Sequence, residues 1–587
     1  MKFLVNFLLF AIFYTQAYAQ QRVMKPADLV SEARINLKSK SEALFDISDS
    51  RVQIQLPEEL TDYTLLNFNL ASGREILSRK NPFIELSIPG DKREALVLEL
   101  VEVNILAEGF SVIEAPSMTP VHAVHGKHYR GVVKDKPGSV AALSVYEGEA
   151  MGIISIPEEG NLVIGKIEGA DQHIFYNDHQ LSHKFGMECG TDDTGTAYTR
   201  DQLSGAMGGT RSLTDCTRLY LEIDHDIFLN KGSSTAAVNT FITGIFNQVA
   251  TLYSNEQINT VISEIVIWTQ PSPYNATSSS GMLNAFTAYR QGFNGDLAQL
   301  LSYKASGGIA YLDGLCRTNP DYSMSYAGIQ STYQNVPTYS WTVEVCTHEF
   351  GHLFGSQHTH ACVWNGNGTA IDGCYTTEGG CPSPGLPSGG GTIMSYCHLT
   401  GAGINFANGF GLQPGNVIRS EVTVATCLQA CSGGGGGGGG GSNPCNNISL
   451  TMELKTDNYP GETTWNIKNS TGTILYSGGP YNVPNTLNTI SLCLPAGCYT
   501  FTINDTYGDG ICCSFGNGYY NIKQGTTTLI SGGQFASQEI KSFCASGVTP
   551  TCTDGVQNGQ ETGVDCGGPT CPACPTCTDG IENGQET

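Results

Sequence analysis

The sequence predicts an α/β (α+β) domain at the centre of the chain, a β-rich unit before it and a small all-β, disulfide-stapled module after it. Three observations carry this prediction. Strand-like and helix-like runs alternate through residues 212–431, the pattern of a sheet covered by helices. The 21 cysteines are unevenly placed: one, Cys189, in residues 20–211, nine in 212–431 and eleven in 432–587. Nine consecutive glycines, Gly433–Gly441, lie where no core can form. A chain of 587 residues exceeds what one core holds and reads as roughly three or four domains.

The elements follow in order. Residues 1–19 read as a signal peptide: Lys2 is a positive start, Phe3–Phe13 is apolar apart from Asn6, and Ala17-Tyr18-Ala19 is a small-x-small cleavage site before Gln20. That run is too short to cross a bilayer, which needs about 20 apolar residues. No other segment reads as a membrane span. Residues 20–205 read as one β-rich unit, with strands predicted at 95–105, 141–145, 151–156 and 161–167 and turns such as Lys136-Pro137-Gly138. Within 212–431, strands are predicted at 218–223, 260–268, 308–312 and 326–329. Helices are predicted at 236–253, 281–289, 296–303 and 341–354. Residues 432–442 are a flexible linker. Residues 443–546 alternate apolar and polar side chains, with six cysteines that suit three disulfides in a β-sandwich. In 552–587, Cys552-Thr553-Asp554-Gly555 returns as Cys577-Thr578-Asp579-Gly580, 25 residues on. The second copy stops at Thr587 before its further cysteines, so a truncated repeat is expected there.

Charge narrows the function classes. With 30 basic and 54 acidic residues the formal charge is −24, which argues against a partner made of nucleic acid or anionic lipid. The signal segment and the cysteine content point to an oxidising compartment, with the protein secreted or held at the cell surface.

One stretch carries chemistry: His348-Glu349-Phe350-Gly351-His352-Leu353-Phe354-Gly355-Ser356-Gln357-His358. His348 and His352 are four apart, so on a helix both imidazoles share one face and one metal ion. Glu349 stands beside the metal, placed to take a proton from an activated water. Gly355 can adopt the positive φ that ends the helix, after which the chain turns back to bring His358 as a third ligand. Three protein ligands leave a position open for catalysis, whereas a structural zinc site closes with four.

With Gly391-Thr392-Ile393-Met394-Ser395-Tyr396 following, the sequence resembles the metzincin metallopeptidases, whose signature is H-E-x-x-H-x-x-G-x-x-H and a methionine turn. The resemblance implies a twisted, mixed sheet above a cleft, a zinc helix below it, one catalytic Zn2+ and a protein or peptide substrate. It makes Met394 an apolar floor under the histidines. It gives Tyr396 two readings, a fifth ligand or oxyanion stabiliser, or a buried tyrosine of the turn. Gly307–Cys316 looks like the edge strand of the adamalysin (reprolysin) branch, which an extended substrate joins by backbone pairing. One departure is Thr359, where that branch usually has aspartate. His360 and His398, near the site, read as solvated or hydrogen-bonded.

Residues 96–170 resemble the adamalysin-type propeptide, notably His128-Tyr129-Arg130-Gly131-Val132-Val133 and Pro137–Ser144. That implies an inhibitory prodomain, cleaved between Thr191 and Arg211, with Arg200 and Arg211 as trypsin-like sites. Cys189 then reads either as a zymogen switch whose sulfur takes the fourth zinc position, or as a free thiol, or as the partner of one of the nine central cysteines. In the last module, Asp505 and Asp509 of Asp505-Thr506-Tyr507-Gly508-Asp509-Gly510 read as a calcium site or as a tight strand turn. Its expected role is binding of glycan, matrix or cell surface. The reading is a secreted zinc metalloendopeptidase made as a zymogen, with Glu349 as general base. The alternative is a non-catalytic adhesin on a protease scaffold.

Overall fold

The computed structural model describes residues 23–49, 56–91, 94–121, 123–181, 189–191, 196–205, 215–330, 332–333, 335–430, 448–469, 474–478, 481, 484–494, 497–513, 515–524 and 527–545. Residues 1–19, read as a signal peptide, residues 432–442, read as a linker, and the repeat in 552–587 lie outside the described residues. The chain divides into two units, Met1–Leu428 and Gln429–Thr587.

The first unit begins with α1 (Pro26–Asn36), β1 (Lys40–Glu42), β2 (Phe45–Ile47), β3 (Tyr63–Phe68), α2 (Leu70–Ser78), β4 (Phe83–Ile88), β5 (Leu96–Val103), β6 (Leu106–Ala115) and β7 (Thr119–Val121). It continues through β8 (Lys127–Val133), β9 (Val140–Tyr146), β10 (Glu149–Ile156), β11 (Gly160–Lys166) and β12 (His173–Asn177). Ten of these strands form a sheet in the order β1-β4-β5-β8-β9-β10-β11-β12-β3-β2. Alternate side chains serve two cores, as the pleat requires. Leu143, Val145, Ile154 and Ile164 join one. Ala142, Tyr146, Met151, Ile153 and Val163 join the other, shared with the central domain.

After α3 (Arg200–Ser204), the central domain contains β13 (Asp215–Ile223), α4 (His225–Asn230), α5 (Thr235–Asn255), β14 (Asn259–Trp268), α6 (Ser279–Tyr289) and β15 (Leu297–Ser302). It goes on through β16 (Gly308–Ala310), β17 (Met324–Gly328), α7 (Tyr339–Leu353) and α8 (Leu412–Val424). Its sheet runs β16-β17-β15-β13-β14-β6-β7. Strands β14, β13, β15 and β17 are parallel, and β16 is antiparallel at the edge. Helix α5 is buried almost all round, polar side chains such as Asn239, Asn247 and Gln248 included. Phe241, Ile242, Ile245 and Phe246 belong to the shared core, and Asn247 donates to the carbonyls of Tyr129 and Leu143.

Two points differ from the sequence reading. Residues 296–303, read as helix, contain strand β15. Leu297-Ala298-Gln299-Leu300-Leu301 is rich in helix formers, but every side chain of β15 is buried between β13 and β17, and a strand buried on both faces shows no alternation. The β-rich unit also lends two strands to the central sheet. Strand β6 pairs in parallel with β14, Val112 opposite Ile265 and Glu114 opposite Ile267, and β7 pairs with β6.

The second unit is a sandwich of two four-stranded sheets. One holds Leu487–Leu494, Ile448–Lys455, Tyr519–Gln524 and Thr527–Gly532, in that order. The other holds Ile474–Gly478, Thr463–Lys468, Gly497–Asp505 and Gln538–Ala545. Leu450, Met452, Trp465, Ile467, Phe501, Ile503, Tyr520 and Ile522 fill the space between them. Among the described residues, Cys498–Cys544 and Cys512–Cys513 are its disulfides.

Candidate metal centre

Helix α7 places His348, Glu349 and His352 in the interior, all fully buried. It ends where Gly355, at φ +92°, donates its N–H to the His352 carbonyl at 2.8 Å. The chain then reverses and returns His358 to the same point, with His352 Nε2 and His358 Nε2 3.1 Å apart. The ligand atoms of Cys189, His348, His352 and His358 all lie within 4.8 Å of one another.

The outer ring nitrogens decide the tautomers. His348 Nδ1 donates to the Ile393 carbonyl and His352 Nδ1 to the Ser356 carbonyl, each at 2.8 Å. A carbonyl only accepts, so both Nδ1 atoms carry the proton and both Nε2 atoms present lone pairs inward. His358 Nδ1 lies 3.2 Å from both carboxylate oxygens of Glu378. His348 Nε2 is buried with no hydrogen-bond partner among the described residues. Burial, then the neighbouring His358, holds His348 and His352 well below the usual histidine range, so both are neutral. Converging buried lone pairs with no proton between them fit a divalent cation. His348, His352 and His358 would hold it.

Glu349 lies beside this point. Its Oε1 is buried without a partner among the described residues, and its Oε2 accepts from the Cys189 thiol at 3.4 Å. Burial pushes the carboxyl up to about 8, opposed by the thiol hydrogen bond. Gly308 of β16 lies directly against it: a Cβ there would meet Glu349 Oε1 at 2.1 Å.

Cys189 reaches the centre from the N-terminal side. It is a free thiol, 3.5 Å from His352 Nε2, and burial and then Glu349 push it up to about 11. The flanking backbone lies along β16. Cys189 bridges Gly308 in parallel, Gly190 N–H donates to the Gly308 carbonyl at 2.8 Å, and the Ala310 N–H donates to Thr191 Oγ1 at 3.0 Å. The odd cysteine of the central domain is a different residue, Cys346, which is buried and free in α7. The domain's disulfides include Cys316–Cys427, Cys362–Cys381 and Cys374–Cys397, and Cys216 is disulfide-bonded as well.

The methionine turn supports the site with backbone and side chain. Met394 is fully buried, and a Cβ on Gly351 of α7 would meet its sulfur at 2.5 Å. Thr359, at the departure position, donates its N–H and hydroxyl to the Met394 carbonyl at 3.0 and 3.2 Å. The Tyr396 hydroxyl binds the Cys189 backbone, accepting from its N–H at 2.7 Å and donating to its carbonyl at 3.1 Å. His360 is buried, with Nε2 3.3 Å from Glu378 Oε1. His398 Nδ1 lies 3.1 Å from Glu344 Oε1.

Comparison with known proteins places part of the chain in a family. Residues 213–404 match a reprolysin model of metallo-peptidase family M12. This segment is an adamalysin/reprolysin-like metzincin domain. The chain is similar to disintegrin and metalloproteinase domain-containing protein 9 of Homo sapiens. Identity is 25% over 250 residues, 39% of this chain and 30% of that protein. Snake venom metalloproteinase TM-1 of Protobothrops mucrosquamatus is 26% identical over 195 residues, 30% of this chain and 85% of that protein. The chain thus spans under a third of the human relative's length. A solved structure described as a chaperone-substrate complex matches 48% of this chain and 39% of that one at 10% identity, with a TM-score of 0.21 that carries no argument about the fold.

In the second unit, carboxylate oxygens of Glu462, Asp505 and Asp509 lie within 4.8 Å of one another. Asp505 Oδ1 also accepts from the N–H groups of Gly508 and Asp509, which builds a turn. Among the described residues, no helix is long and apolar enough to cross a membrane.

Two residues at the metal centre escaped the sequence reading, Glu378 and Gly308. Glu378 sits in a cysteine-rich loop, and Gly308 was read only as part of the edge strand. Neither carries a local signal, because each acts on a group distant in sequence.

Proposed function

We propose that the chain is a secreted zinc metalloendopeptidase made as a zymogen, with Glu349 as general base. The observation that carries this reading is the convergence of three histidine Nε2 atoms and the Glu349 carboxylate on the point that the Cys189 thiol occupies. Zinc held by His348, His352 and His358 would polarise a water molecule and the scissile carbonyl. Glu349 takes the water's proton and hands it to the departing amine, so the peptide bond breaks, hydroxide adds to the carbonyl carbon and no covalent enzyme intermediate forms. The edge backbone of β16 pairs with the extended peptide. Tyr396, once released from Cys189, donates to the carbonyl oxygen that gains charge. The N-terminal unit keeps the enzyme latent, because Cys189 fills the open position and residues 189–191 cover the edge strand that a substrate would use.

Residues 1–19 and the domain's disulfides support export. In the same reading the C-terminal module binds glycan, matrix or cell surface, with calcium at Asp505 and Asp509. The adhesin alternative is disfavoured because a dead scaffold usually lacks a ligand or the base, and this chain keeps all four residues.

Casein hydrolysis tests the proposal with zinc-loaded full chain, Cys189→Ala, and Cys189→Ala combined with Glu349→Gln. The expected order is latent, active and inactive, and chelation abolishes the activity of Cys189→Ala. Activity surviving Glu349→Gln would remove Glu349 from its role. An inert Cys189→Ala that folds and binds zinc would favour the adhesin.

A further inference from the structure

The three histidines are not held alike. His348 and His352 give their Nδ1 protons to neutral backbone carbonyls, whereas His358 faces a carboxylate. We propose that Glu378 is a positioning residue that orients His358 and sets the metal affinity of the site, an inference that rests on the zinc reading above.

Several independent contacts place Glu378. Its N–H donates to the His360 carbonyl at 3.1 Å, and its carbonyl accepts from the Cys362 N–H at 2.8 Å. Cys362 and Cys381 then close the loop covalently. Gly379 and Gly380, at φ +100° and +75°, supply the reversal beyond it. The carboxylate so placed meets two imidazoles: His358 Nδ1 at 3.2 Å and His360 Nε2 at 3.3 Å. The rings of His358 and His360 stack 4.8 Å apart at 10°, so the two imidazoles meet the carboxylate side by side.

The chemistry follows from acceptor type. An ionised carboxylate has no proton to give, so it fixes the His358 proton on Nδ1 and leaves Nε2 as a lone pair facing the centre. A charge-assisted bond is roughly twice as strong as a neutral one and makes the imidazole a better donor to a metal. His358 is also the ligand that most needs a partner. It lies beyond the end of α7, outside the helix that fixes the other two.

The test measures zinc dissociation from the full chain by competition with a chromophoric chelator, and the d–d spectrum of the Co(II)-loaded protein. Glu378→Ala should weaken zinc about 10- to 100-fold and shift the Co(II) bands. Glu378→Gln, which keeps an uncharged acceptor oxygen, should fall between it and the wild type. Both variants should melt with the wild type when metal-free. Equal zinc affinity in all three proteins overturns the assignment. So does a loss that follows a lowered metal-free melting temperature, which would make Glu378 a loop support only. A wild-type chain that binds no zinc overturns the zinc reading itself, and this inference with it.

Discussion

Glu349 and Gly308 show what one missing side chain does for a buried carboxylate. Glu349 lies against the edge strand because position 308 has no Cβ; an added methyl would sit 2.5 Å from the carboxyl carbon. Gly308 lies outside the left-handed region, so alanine fits the backbone and its cost falls on Glu349. Gly308→Ala should therefore leave the fold and zinc content intact while lowering hydrolysis by about 100-fold, since a displacement near 1 Å can cost that much. Peptide turnover in the Cys189→Ala background, beside zinc analysis, checks this. At this scale the legible part of the site was its local part. Two histidines four apart, a glutamate beside one of them and a glycine that ends the helix all act within eleven residues. The Tyr396 clamp on Cys189, 207 residues away, and the Glu378 contact across the disulfide loop depend on folding and leave no spacing to read.

Among the elements, strands β8 and β12 each carry a group that makes the fold sensitive to acid. His128 and His173 are buried and held down to about 3, first by burial and then by a nearby cation, Arg130 for His128 and Lys166 for His173. Their folded values lie below the unfolded value of about 6.5, so both are neutral in the fold. The stability they allow is fully present above about pH 6.5 and is lost as pH falls toward 3. At pH 5 the pair should cost on the order of 4 kcal/mol, from about 1.4 kcal/mol per pH unit for each histidine. The urea midpoint of the metal-loaded full chain should drop accordingly between pH 7 and pH 5, and His173→Phe should remove about half of the drop. Most strands and the helix that carries His348 and His352 were readable because their alternation and i, i+4 spacing lie in neighbouring residues. Strand β15 was not, because burial on both faces erases the alternation that identifies a strand.

At the level of the whole molecule, β6 makes the central sheet depend on the N-terminal unit. Without it, β14 would present a long, largely buried strand as a bare edge, a template for pairing with other chains. Residues 212–431 produced alone should therefore aggregate, and adding residues 20–205 in trans during refolding should restore soluble protein, as size-exclusion chromatography would show. The borrowed strand was invisible in the sequence, since nothing in residues 106–115 says which sheet they will join.

The Cys316–Cys427 bridge closes a ring of chain whose ends lie 111 residues apart. His348, Glu349, His352, His358, Glu378, Met394 and Tyr396 all fall inside that ring. A protease that nicks an exposed loop between the two cysteines opens the ring without dividing it, and both ends stay tethered around the histidine cluster. The centre can thus survive a cut that would dismember a linear chain.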